Sequence, residues 1–189
     1  MKRFIFSVLS ACLTAIPAAG MGSERLLDID GRHVTVREVT SGAHGSVLLF
    51  LRTDCPVSNR YAPEIRRLFG AFSRQGVAFW LVYPNPAEPA AAIRDHVQTF
   101  GYPGHVVRDP DHVLVRLASA TITPEAAVVD PRGRVVYHGR IDDRFANLGV
   151  DRQTATEHTL EDALAATLLG NPVRRPVARA VGCFITDLK

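Results

Sequence analysis

The run Ser46-Val47-Leu48-Leu49-Phe50-Leu51 constrains this chain more than any other feature. A short unbroken apolar stretch of this kind is the mark of a strand buried on both faces, which only a sheet covered by helices on each side supplies. It ends at Arg52-Thr53-Asp54-Cys55-Pro56, and the period then changes: Tyr61, Ile65, Leu68, Phe69 and Phe72 recur at helical steps, predicting one helix over 57–74. A second buried strand is expected over 77–83, a helix over 90–100 and a short strand over 105–108. Asp111 is then placed to cap a short helix carrying Val113, Leu114 and Leu117. Strands over 126–130 and 135–139 flank Pro131-Arg132-Gly133 as a hairpin, and an amphipathic helix follows over 159–169. Ahead of all this, 26–39 reads as a hairpin turning at Asp30-Gly31. Strands joined by helical crossovers give an α/β fold, a three-layer α/β/α sandwich with a central mixed sheet and an N-terminal β-hairpin.

The ends of the chain read differently from the middle. Lys2 and Arg3 followed by the apolar stretch 4–16 and by Ala18-Ala19-Gly20 have the layout of an export signal over residues 1–20. The expectation is a periplasmic or extracellular protein without stable membrane insertion once the signal is removed. Leu9-Ser10-Ala11-Cys12 also fits, less well, a lipidation site at Cys12. The folded domain is expected over 24–170, with 171–189 as a tail carrying Cys183. Arg and Lys are dispersed and the formal charge is only +3, so nothing points to nucleic acid.

Chemistry in this chain is expected to centre on sulfur. Cys55 lies past the carboxyl end of a buried strand and just before a proline-started helix, where reactive groups of α/β sheets gather. The thiolate is the nucleophilic form, and a helix N-terminus favours it. Arg52 and Arg60 are close enough in sequence to help, with Asp54 opposing them. The only other cysteine beyond the leader is Cys183. The two form a redox pair, form an inert structural disulfide, or stay unpaired; the sequence leaves these three open. Arg140, Arg144, Asp142 and Asp143 follow a strand end and border the same region in this reading, as do Tyr61 and Glu64. No Gly-rich phosphate loop or dinucleotide fingerprint is present, and no organic cofactor is expected. The seven histidines show no paired short spacing, and no metal is assigned to them.

Strand, Cys55-Pro56, helix, strand, helix, and a later Thr123-Pro124 ahead of a hairpin together resemble the thioredoxin-like superfamily. The long stretch before the cysteine and the insert 84–120 are most similar to its redoxin branch, the alkyl hydroperoxide reductase and thiol-specific antioxidant proteins. The resemblance covers about residues 26–169. It implies an oxidoreductase in which Cys55 is the nucleophile, with protein thiols, protein disulfides or a small peroxide as partners. It also implies a cis bond at Thr123–Pro124, with both residues shaping a partner groove alongside Thr53, Pro56 and Arg140, and with Cys183 as a candidate resolving thiol. Three departures narrow it. Ser58 stands where a dithiol site has its second cysteine, Arg52 stands where a peroxidase has a peroxide-orienting hydroxyl, and Asn59 breaks the copper-delivery pattern. The alternative from a different class is a copper-binding module that uses Cys55, Cys183 and a histidine.

Overall fold

The structure, a computed structural model, describes residues 25–147 and 149–186. In chain order its elements are β1 Leu26–Asp28, β2 His33–Val34, α1 Val36–Thr40, β3 Ser46–Phe50, α2 Pro56–Arg60, α3 Ala62–Phe72, β4 Ala78–Tyr83, α4 Ala90–Phe100 and β5 His105–Arg108. They continue with α5 Val113–Ala118, β6 Ile122–Thr123, β7 Glu125–Val129, β8 Val135–Gly139, β9 Phe145–Asn147, β10 Val150–Asp151, α6 Thr159–Leu168, β11 Val177–Ala178 and β12 Cys183–Phe184. The leader and Cys12 lie outside the described residues.

Eight strands form one sheet in the order β11-β8-β7-β3-β4-β5-β1-β2. β3, β4 and β5 run parallel, while β7 is antiparallel to β3 and β1 to β5, so the sheet is mixed. Alternate residues of the central strands serve opposite faces, as the pleat requires. Val47, Leu49, Phe79, Leu81, Ala126 and Val128 share one buried cluster with Ile65 and Leu68 of α3, Ile93 of α4 and Leu160 and Leu164 of α6. Leu48, Phe50, Trp80, Val82, Ala127 and Val129 share the other with Val39 of α1 and Leu114, Val115 and Ala118 of α5. Helices on both faces of a mixed sheet complete the three expected layers, and the N-terminal hairpin β1–β2 adds to the edge beyond β5.

Several local readings change. The helix expected over 57–74 is broken at Tyr61 into α2 and α3. Pro63 has no N–H to return to the preceding turn, so the first helix ends and the second begins with proline in its opening turn. The hairpin expected to reach 39 stops at Val34, because Thr35 and Glu38 form a reciprocal capping box that starts α1. The cap of α5 is Asp109 rather than Asp111. The Asp109 carboxylate accepts from the N–H groups of Val113, Leu114 and Val115 at 2.6, 2.9 and 3.0 Å. Asp111 instead pairs with Arg25. The stretch after Gly139, expected to be irregular, holds the short ribbon β9–β10. The segment expected to be a tail contributes β11, parallel to β8, and β12, antiparallel to β6.

Candidate active site

Cys55 is the N-cap residue of α2, and its carbonyl accepts the first helical bond from Asn59 N–H at 3.1 Å. It is fully buried. The Thr123–Pro124 peptide bond is cis, as the resemblance implied. The Cys55 thiol donates to the Thr123 carbonyl at 3.1 Å, which joins the end of β3 to the segment ahead of β7.

The second cysteine arrives by backbone pairing. In the β12–β6 ladder Cys183 lies opposite Thr123, and Phe184 opposite Ile122. The Thr123 hydroxyl donates to the Cys183 carbonyl at 3.3 Å, and Ile185 N–H to the Thr121 carbonyl at 2.9 Å. The Arg52 guanidinium donates to the Phe184 carbonyl at 3.3 Å while holding Asp54 at 2.8 Å. The result brings Cys183 beside Cys55. Both cysteines are free thiols.

The electrostatics of the two sulfurs diverge. Burial by itself raises the Cys55 thiol. The ionised sulfur, however, draws on the Cys183 thiol, the Ser58 hydroxyl and N–H, and the Cys183 N–H as donors, and the net direction is down from the ordinary thiol value. Cys183 is pushed up to about 12 by its own burial, by its bond to Cys55 and by the charge that Cys55 carries. Of the two sulfurs, Cys55 is thus the one favoured as thiolate and Cys183 the one held as thiol. Ser58 explains part of this. It is fully buried, and its hydroxyl has no oxygen or nitrogen partner while Cys55 is protonated and bonded to Thr123. A buried unpaired hydroxyl is costly, and ionisation of the neighbouring sulfur gives it an acceptor. The expected help from a long helix and two arginines is smaller than the sequence suggested. α2 has five residues, Arg52 is paired with Asp54, and Arg60 with Asp151.

The remaining expected residues divide. Thr123, Pro124, Cys183 and Cys55 are brought together. Pro56 is the exposed first residue of α2. Thr53 turns both its N–H and its hydroxyl to Glu88 Oε1, at 3.0 Å each, so its donors are committed there. Arg140 pairs with Glu157 rather than with any group at the thiols. Tyr61 donates to Asp142 Oδ1 at 2.6 Å, and Glu64 pairs with Arg67.

Two groups carried no sequence signal. Glu88 is buried and its carboxyl is raised, first by burial. Behind the thiols, Tyr102 donates to the Ser58 carbonyl at 2.6 Å, and His96 bridges Tyr83 at 2.8 Å and Asn59 at 2.7 Å. Among the described residues, the three-ligand cluster Glu64–His158–Glu161 contains neither cysteine, and Arg67 already bridges its two carboxylates. The copper reading therefore gains no Cys/His ligand set. No helix among the described residues is long and apolar enough to cross a membrane.

Known proteins share this fold and family. The chain is 25% identical over 111 residues to the thiol-disulfide oxidoreductase ResA of Halalkalibacterium halodurans, across 59% of this chain and 61% of ResA. It thus spans less than two thirds of that relative's length. An uncharacterized conserved protein of Geobacillus kaustophilus superposes with a TM-score of 0.73 at 25% identity, over 87% of this chain and 88% of the other. A hypothetical protein of Sinorhizobium meliloti 1021 gives 0.72 at 25%, over 86% and 90%. A secreted Mycobacterium tuberculosis disulfide oxidoreductase homologous to E. coli DsbE shares the fold at 15% identity, with a TM-score of 0.51 over 76% and 92%. The AhpC/TSA family profile matches residues 19–138, and with a thioredoxin-like sheet, a cysteine at the start of α2 and a cis-proline against it, the chain belongs to the AhpC/TSA family.

Proposed function

We propose that this protein is an exported thiol–disulfide oxidoreductase in which Cys55 is the nucleophile and Cys183 completes the exchange. The observation that carries this reading is the pairing of Cys183 opposite Thr123, which puts a protonated thiol beside a sulfur favoured as thiolate. The Cys55 thiolate attacks one sulfur of a partner disulfide. That S–S bond breaks, a mixed disulfide forms, and the partner's other sulfur leaves as a thiolate that takes up a proton. Cys183, giving up its proton, then attacks the Cys55 sulfur and expels the partner's first sulfur. The partner ends with two thiols and the protein with a Cys55–Cys183 disulfide; run backwards, the same steps oxidise a dithiol. Thr123 and Pro124 border the partner's position, and Thr53 and Pro56 frame the loop that holds Cys55. The leader pattern over residues 1–20 supports a compartment where such exchange takes place.

The test is to oxidise the protein with a small disulfide and map the products by mass spectrometry. A Cys55–Cys183 bond is expected. Cys55→Ser should abolish exchange, and Cys183→Ser should trap the mixed disulfide on Cys55. Activity with hydrogen peroxide but not with disulfides would replace this reading by a peroxidase one.

A further inference from the structure

The β6 edge beside Cys55 is already taken by the protein's own Cys183 strand, β12. Cys55 is fully buried, and Cys183, on β12 opposite Thr123 of β6, lies beside it. A partner strand that pairs with β6 must therefore take the place that β12 holds. The hold on that place is local. It consists of two ladder pairs, the Thr123 and Arg52 bonds to carbonyls, the Ile185 N–H bond, the buried Ala180 and Ile185 side chains and the packing of Val181 and Cys183 on the core. Segments held by so few bonds lie at the low end of local stability. β11 is held differently. A side chain at Gly139 would come within 1.9 Å of the Ala178 carbonyl oxygen, so β8 and β11 lie in backbone contact with no space between them. The segment less firmly held is thus 179–186.

The strand also records what fits. A Cβ on Gly182 would sit 2.0 Å from the Thr123 carbonyl oxygen and 3.0 Å from Ile122 Cγ2. Gly182 does not have a positive φ, so the restriction is one of space. Phe184 is 73% exposed and selects nothing, whereas Ile185 is 5% exposed and belongs to the cluster of Phe50 and Val82.

Resting on the oxidoreductase reading, we propose that the β6 edge takes an extended cysteine-bearing segment of a protein partner in exchange for the protein's own 182–185 strand. That strand is the template for the partner's sequence: glycine before the cysteine, any residue after it, and a branched apolar residue next. Main-chain pairing supplies affinity in such strand addition, and side-chain pockets supply selectivity.

The test uses the full chain with Cys12→Ser and Cys183→Ser, its Cys55 carried as a mixed disulfide with thionitrobenzoate. A peptide thiolate attacks the Cys55 sulfur, the bond to thionitrobenzoate breaks, and the coloured thiolate leaves. Ala-Val-Gly-Cys-Phe-Ile-Thr should release it about tenfold faster than the same peptide with valine for glycine or aspartate for isoleucine, the size expected of one steric clash. Adding Gly182→Val, or Ile185→Ser as a milder variant, should loosen the resident strand and speed the first peptide severalfold. Equal rates for the three peptides, with dithiothreitol reacting normally, would overturn the template and leave the oxidoreductase reading standing. Failure of dithiothreitol itself to react would remove the parent reading. A wild-type dimer linked from Cys55 to Cys183 of a second copy would make another copy of this chain the occupant, and would also overturn the proposal.

Discussion

Two donors approach the Cys55 sulfur from different elements, Ser58 from α2 and Cys183 from β12, and each favours the thiolate against the cost of burial. Alkylation of Cys55 should therefore have its pH midpoint below that of an ordinary thiol. Removing either donor leaves burial less opposed, so Ser58→Ala and Cys183→Ala should each move the midpoint upward; an unmoved midpoint in both would show that these donors do not act on the sulfur. Glu88 shifts the other way. Its raised carboxyl means that folding favours the protonated form, a contribution present at low pH and lost as pH rises through the folded value. Glu88→Gln should flatten that part of the pH–stability curve, measured by urea unfolding. At this scale the sequence was half legible. Ser58 announced that no local dithiol exists, but its role as donor depends on which way a buried hydroxyl faces. Glu88 stands 35 residues from Thr53 and had no local signal to give.

At the scale of elements, period and punctuation did most of the work. α4 and β5 were readable to the residue, because Gly101, Pro103 and Asp109-Pro110 bracket them. The two-residue strands β6, β11 and β12 were not, since so short a strand has no period to detect and exists only through its partner. The joint between α2 and α3 needed more weight on Pro63 than on the apolar repeat around it. The cap of α5 shows a related error. Asp109 and Asp111 both precede the helix, and only the backbone path decides which carboxylate reaches the free N–H groups. Asp109→Ala should leave three donors unpaired, two of them buried, and cost about 2 kcal/mol or more in urea unfolding, whereas Asp111→Ala should cost well under 1 kcal/mol.

For the molecule as a whole, the two cysteines are separated by almost the whole folded sequence. A Cys55–Cys183 bond closes a loop of roughly 128 residues, and the chain-entropy account gives such a crosslink about 4–5 kcal/mol. The oxidised protein should unfold at clearly higher denaturant than the reduced one, and Cys183→Ser should erase the difference. The same stretch of chain has a second effect through β11. Without β11, β8 would be the last strand of the sheet, with the main-chain groups at His138 and Arg140 unpaired; Pro176 and Ala178 carbonyls accept those two N–H groups at 2.9 and 3.1 Å. Open strand edges recruit the backbones of neighbouring molecules and start aggregates. Because β11 is anchored apart from β12, displacement of the reactive end would leave this edge sealed, with no open strand for a neighbouring molecule to join.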